Sequence, residues 1–300
     1  MALNANCCNT CGREDLSRAA MSIRRGLDAW CRLGVKPVGA MLALLLAGSG
    51  SAVHAAAYAD TQIADPEVRA CIEATLPQHT LSQKLAVVVT EGSGPPRESR
   101  GTLEWKRGDD GLSKVLVHID ASIQFAGVAI LMIERKKGDP EVYMYSPEMG
   151  RERRIASSAL AGPLLGTDFS YEDFAFMQHV LATGQVKRQA DGEVEGHPAY
   201  VLETLPAEDG SAYSRISTRI EKESCVPMIT EFFGPNGTQI KQLAVARAAI
   251  KKIGQRNVPG QMTMNNPKAG SRTVLTVTDA VFDLTLDDSR FTPVGIRRMR

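Results

Sequence analysis

The sequence predicts a mainly β protein built on one large curved antiparallel sheet, or open barrel, of about 11 strands with a few covering helices. Three observations carry this expectation. Apolar and polar residues alternate with period two in short runs from Gln83 onward. Turns rich in Gly, Asn, Asp and Pro separate the runs and are too short for a crossover, which makes neighbouring strands antiparallel. No run alternates with a full-length helix, which disfavours a parallel doubly wound sheet.

With 43% hydrophobic and 23% charged residues, the 300-residue chain lies in the globular range and can bury a core. Thirty-five basic against 34 acidic residues give a net charge of +1. That balance excludes the electrostatic footprint of a nucleic-acid binder. Aromatic content is only 5%, so an exposed binding surface is expected to be aliphatic.

Residues 1–59 read as a leader and cleavable signal peptide. Arg24, Arg25, Arg32 and Lys36 precede an apolar stretch at 38–47, and small residues end in Val53-His54-Ala55 and Ala57-Tyr58-Ala59. Cleavage is expected after Ala55 or Ala59. The apolar stretch falls short of the ~20 residues a spanning helix needs. Met21 opens a signal of ordinary proportions and is a candidate start. Cys7, Cys8, Cys11 and Cys31 precede the cleavage sites and hold one C-x-x-C pair with no second, so no metal site is expected. No cysteine follows the apolar stretch to accept a lipid. Residues 60–300 are therefore expected to form one soluble exported domain. It retains Cys71 and Cys225, which an oxidising compartment would pair into a disulfide; two separate buried thiols are the alternative.

In chain order, residues 65–75 read as an amphipathic helix with Asp65 as N-cap and Pro66 in the first turn. Strand patterns follow at 85–89, 102–106, 114–119, 128–134, 142–146, 186–189, 199–205, 214–221, 228–233, 239–246, 261–265 and 272–279. Leu116 breaks the alternation of its run. Turns fall at 108–111, 191–192, 234–237 and 266–270. The chief interruption is 157–181, where Phe174, Met177, Val180 and Leu181 mark one face of a helix over 171–181. A helix inserted midway through a meander is well placed to cover the concave face of the sheet.

Within that insertion, GPLLGTDFSYEDF (162–174) resembles the GTDFSYEDF signature of the LolA-like family of outer-membrane lipoprotein-sorting proteins, in particular its branch associated with MMPL-type (RND superfamily) inner-membrane transporters. VYMYSP at 142–147 with the basic turn at 151–155, MTMN at 262–265, GSRTVLT at 270–276 and LDDSRFT at 286–292 are similar to other parts of the family pattern. The resemblance covers roughly residues 65–295. It implies an incomplete antiparallel barrel of the LolA/LolB type whose apolar concave face, lidded by helices, accepts acyl chains. It also implies a periplasmic carrier of a lipid or lipoprotein, with an MMPL/RND transporter as partner and only peripheral membrane contact. A periplasmic sensor or regulatory binding module on the same fold is the alternative.

Catalytic patterns are lacking: there is no P-loop, nucleophile elbow, H-E-x-x-H or S-x-x-K, and neither an enzyme nor a cofactor is expected. His79, His118, His179 and His197 are scattered and read as surface residues. Glu172 and Asp173 read as first-turn carboxylates behind an N-cap at Ser170. The expected acyl-chain face comprises Leu103, Trp105, Val115, Val117, Ile119, Val142 and Met144. The lid motif comprises Asp168, Phe169, Tyr171, Asp173 and Phe174. Arg151, Arg153 and Arg154, with Lys136 and Lys137, form a basic edge that reads either as a solvated charge run or as a dock for phosphate head groups or an acidic partner. N-terminal sequencing of the exported protein is expected to start at Ala56 or Asp60; a product retaining residues 44–47 would refute cleavage.

Overall fold

The computed structural model describes residues 63, 65–178, 183–206 and 211–298. The leader, its cysteines and both cleavage sites lie outside these residues, as do His179, Val180 and Leu181.

Helix α1 (Pro66–Thr75) begins as its sequence dictates, with the Asp65 carboxylate accepting from the N–H groups of Glu67 and Val68. The first run of strands is β1 (Thr80–Glu91), β2 (Arg97–Arg107), β3 (Ser113–Ser122), β4 (Ala129–Ile133), β5 (Glu141–Ser146) and β6 (Arg151–Ile155). Helix α2 (Tyr171–Met177) follows. The second run is β7 (Thr183–Arg188), β8 (Gly192–Val194), β9 (His197–Pro206), β10 (Arg215–Glu221), β11 (Pro227–Phe233), β12 (Gln239–Ala244), β13 (Ile250–Ile253), β14 (Arg256–Pro259), β15 (Gln261–Asn266) and β16 (Ser271–Phe282). Helix α3 (Pro293–Arg297) ends the described chain.

Fourteen strands form one antiparallel sheet in the order β6-β5-β4-β3-β2-β1-β16-β15-β12-β11-β10-β9-β7, with β8 also beside β9; β13 and β14 form a separate hairpin. The outermost strands β6 and β7 do not pair, so the curved sheet stays open. The expected count of about 11 strands is too low, and the basic turn at 151–155 is instead strand β6. RERRI in β6 and GEV in β8 carry no alternation of apolar and polar residues; pairing with β5 and β9 makes them strands. Register shifts at Lys84/Leu85, Arg100/Gly101 and Arg219/Ile220 are bulges, which bend a sheet. Gly101 is required at its bulge because a Cβ there would stand 2.6 Å from the carbonyl oxygen of His118.

Period-two alternation gives the sheet two faces. Leu85, Leu103, Trp105, Val115, Val117, Ile130 and Val142 pack together on the inner one, which continues through Ile216, Phe232, Leu243, Met264 and Leu275. Leu116 breaks the alternation because it also has a buried environment. With Ala129 and Leu131 it lies on the outer face beneath Leu286, Phe291 and Ile296 of the C-terminal segment.

Cys71 in α1 and Cys225 in the β10–β11 hairpin form a disulfide, with Cα atoms 5.1 Å apart. Around it, Ile63 and Val68 pack on Tyr200, Leu202 and Ile220. The bridge closes a loop 154 residues long, for which chain entropy alone gives a stabilisation of about 5 kcal/mol. Reduction is expected to lower the midpoint of denaturant unfolding. Thiol labelling of the unfolded, unreduced protein should modify neither Cys71 nor Cys225; labelling of both would show that the bridge does not form.

Candidate functional site

Residues 157–177 pack on the inner face, which buries Leu160, Leu164, Phe169, Tyr171 and Phe174. Their conformation is set locally. Ser170 accepts from the N–H of Asp173 at 3.0 Å, and the Asp173 carboxylate accepts from the N–H of Ser170 at 2.7 Å, a reciprocal cap that starts α2. The helix ends at Met177, short of the expected 171–181, and Gln178 closes its last turn.

The carboxylates of this segment reach beyond the helix dipole. Asp173 is fully buried and accepts from Lys241 Nζ at 2.7 Å and from the Tyr213 hydroxyl. Asp168 accepts from Thr273 Oγ1 at 2.7 Å and from the Ser271 hydroxyl, while its own N–H donates back to Thr273. Glu172 accepts from the N–H of Ala212 at 3.1 Å and from the Ser211 hydroxyl. Burial pushes the Glu172 carboxyl above its ordinary range, opposed by those two bonds. Burial and the neighbouring Asp173 charge push the Tyr213 hydroxyl up, so it stays a donor.

Among the described residues, two cavities lie beneath this lid. The first, about 330 Å³, is lined by Leu85, Val87, Val117, Ile119, Phe169 and Phe174 among others. The second, about 230 Å³, is lined by residues including Leu81, Phe176, Met177, Leu202, Ile220 and Val277. Such walls shield apolar matter from water.

The residues picked from sequence fall into groups. Val117 and Ile119 line the first cavity, as do Phe169 and Phe174 of the lid. Leu103, Trp105, Val115 and Val142, each at most 2% exposed, are packed in the same apolar face. Met144 is half-buried and meets the Tyr171 hydroxyl, with Sδ 3.8 Å away. Asp168 and Asp173 are lid anchors. Arg151, Arg153 and Arg154 stand exposed along edge strand β6, with Arg154 3.9 Å from Glu141. Sequence reasoning missed Tyr213, Lys241 and Thr273, which receive the lid; each is a single polar residue in or beside a strand and carries no local signal.

One histidine departs from the surface reading. His118 is only 17% exposed, with Nδ1 2.9 Å from Asp120 Oδ1. It lines a polar outer-face cleft of about 830 Å³ together with Lys84, Glu104 and Arg290. His197 meets Glu221 and Glu223 in a group with metal-ligand spacing. There the Arg247 guanidinium bridges both carboxylates, at 2.6 and 2.5 Å, and supplies the compensating charge. Among the described residues no helix is long and apolar enough to cross a membrane.

Comparison places this geometry among known folds. A family model described as "Uncharacterized protein" matches residues 111–298. A structure described as an outer membrane lipoprotein-sorting protein domain from Vibrio parahaemolyticus is 22% identical, with a TM-score of 0.68 over 77% of this chain and 97% of that one. A DUF1329 family protein from Desulfovibrio piger is 21% identical, with a TM-score of 0.70 over 77% and 96%. A LolA superfamily protein from Nitrosomonas europaea is 20% identical, with a TM-score of 0.59 over 75% and 96%. No curated protein matches the sequence.

Removing one partner of the lid anchor leaves a charge with nothing to meet it. Asp173→Ala strands the Lys241 ammonium, which is 15% exposed, and is expected to destabilise by about 3–5 kcal/mol. Adding Lys241→Met should recover much of that loss in thermal unfolding. Simple additivity of the two losses would show that the pair is not coupled.

Proposed function

Because the chain belongs to the family whose model spans residues 111–298, and has the fold of LolA-superfamily and lipoprotein-sorting domains, we propose that it is a periplasmic carrier of a lipid or lipoprotein. The observation that carries this reading is the inner face: an apolar surface that continues across the open sheet, covered by one short anchored lid and keeping cavities beneath it. A protein that needed only stability would close such spaces, since each unfilled volume costs dispersion contacts. Transfer of about 14 methylenes onto this face releases a gross ~11 kcal/mol, comparable to what holds a single chain in a bilayer. The cargo passes between the inner and outer membranes without a chemical step.

The exposed guanidinium groups of Arg151, Arg153 and Arg154 beside the lid are the docking edge in this proposal. Arg presents a planar fork that matches phosphate head groups and acidic side chains, and an MMPL/RND-type transporter in the inner membrane is the proposed partner. The Cys71–Cys225 bridge supports an oxidising compartment.

Val117→Glu tests the carrier reading. Val117 is 9% exposed and lines the first cavity, so a carboxylate there costs several kcal/mol unless it protonates or reaches water. Displacement of a fluorescent fatty-acid probe should show tight binding by wild type and at least a tenfold loss in the variant, with circular dichroism confirming that both are folded. Equal affinity in two folded proteins would remove β3 from the site. Absence of binding by either would refute the carrier reading.

A further inference from the structure

Among the described residues two cavities lie under the lid, and α2 contributes to the wall of both. Phe174 faces the first; Phe176, Met177 and Gln178 face the second. The same division runs along the floor. On β1, Leu85 lines the first cavity and Leu81 the second; on β16, Leu275 lines the first and Val277 the second.

The dividing wall is held from both ends. Phe176 packs edge-on against Phe232, with ring centroids 6.5 Å apart and planes at 76°. At the other end, Asp173 is fixed by Lys241 and Tyr213, and Glu172 by Ser211 and Ala212. Sliding α2 aside to merge the cavities would separate buried charges from their partners, which is strongly unfavourable. The helix therefore keeps its position between the two while the anchors are made.

Their sizes point the same way. At about 30 Å³ for each water-sized group, 330 and 230 Å³ hold on the order of eleven and eight such groups. Each holds the distal segment of one acyl chain, the remaining methylenes lying along the open rim and the apolar face, and neither accommodates two chains side by side. The rims also differ. Pro95, Pro96, Arg97 and the fully exposed Ile123 border the first, whereas Thr75 at the end of α1 and the following Leu76 and Pro77 border the second.

We propose that the two cavities are separate acyl-chain compartments and that the ligand is a lipid with two acyl chains, one taken on each side of α2. This rests on the carrier reading above and narrows its substrate class. Ile119 belongs to the first compartment and Ile220 to the second, so a bulky side chain at either position blocks one and spares the other.

Native mass spectrometry of the full chain, titrated separately with palmitate and with a diacyl phosphatidylglycerol, tests the proposal. Wild type is expected to take two palmitates but one diacyl lipid. Ile119→Trp and Ile220→Trp should each take a single palmitate and bind the diacyl lipid at least tenfold more weakly. The wild-type stoichiometry stands as a test even where a variant fails to fold. Saturation of wild type at one palmitate would overturn the two-compartment assignment while leaving the carrier reading intact, as would two palmitates retained by both folded variants. Binding of neither lipid would overturn both.

Discussion

The buried pairing of Asp173 with Lys241 and Tyr213 is the interaction on which the arrangement of the inner face depends. A sheet that is apolar across one face and open at both edges has to be covered. In this chain the cover includes a seven-residue helix with little area of its own. Hydrophobic contact is non-directional and would let so short a helix settle in several positions. A carboxylate at the first turn of α2, met by an ammonium and a hydroxyl from the opposite half of the sheet, selects one of them. Such pairs are costly to assemble in a dry interior and costlier to break.

Asp168 repeats the device at the other end of the lid, where Ser271 and Thr273 of β16 receive it. The two anchors account for acidic residues in a segment that is otherwise apolar and small. They also account for polar residues on the inner face: Lys241 and Thr273 stand at positions where the alternation points inward, and a wholly apolar face would leave the lid carboxylates unsatisfied.

The outer face solves a different problem. Leu116 and Leu131 point away from the inner core, and the C-terminal segment covers them with Phe291 and Ile296. Beside that cover the face is polar, and burial pushes the Glu104 carboxyl up while Arg290 opposes the shift. Strand β4 is buried on both sides, which is why it reads as an unbroken apolar run rather than an alternating one.

The sequence by itself determined the mainly β architecture, the first helix with its Asp65 cap, the Ser170–Asp173 cap and most strand positions. All of these rest on contacts within a few residues, or on a periodicity that a single strand displays. It also placed the apolar face, because residues such as Val115, Val117 and Ile119 recur at period two regardless of what they pack against. Tertiary structure alone decided what lies opposite them. Of the seven face residues chosen from sequence, Val117 and Ile119 line a cavity while Leu103, Trp105, Val115 and Val142 are packed solid, a distinction set by where α2 rests. The receivers Tyr213, Lys241 and Thr273 lie 40, 68 and 105 residues from their lid partners. Strand β6 exists through pairing with β5, and His197 reaches Glu221 across a strand pair. Polar contacts at such separations leave no local pattern, since one lysine or threonine in a strand looks the same whether it faces water or a buried carboxylate.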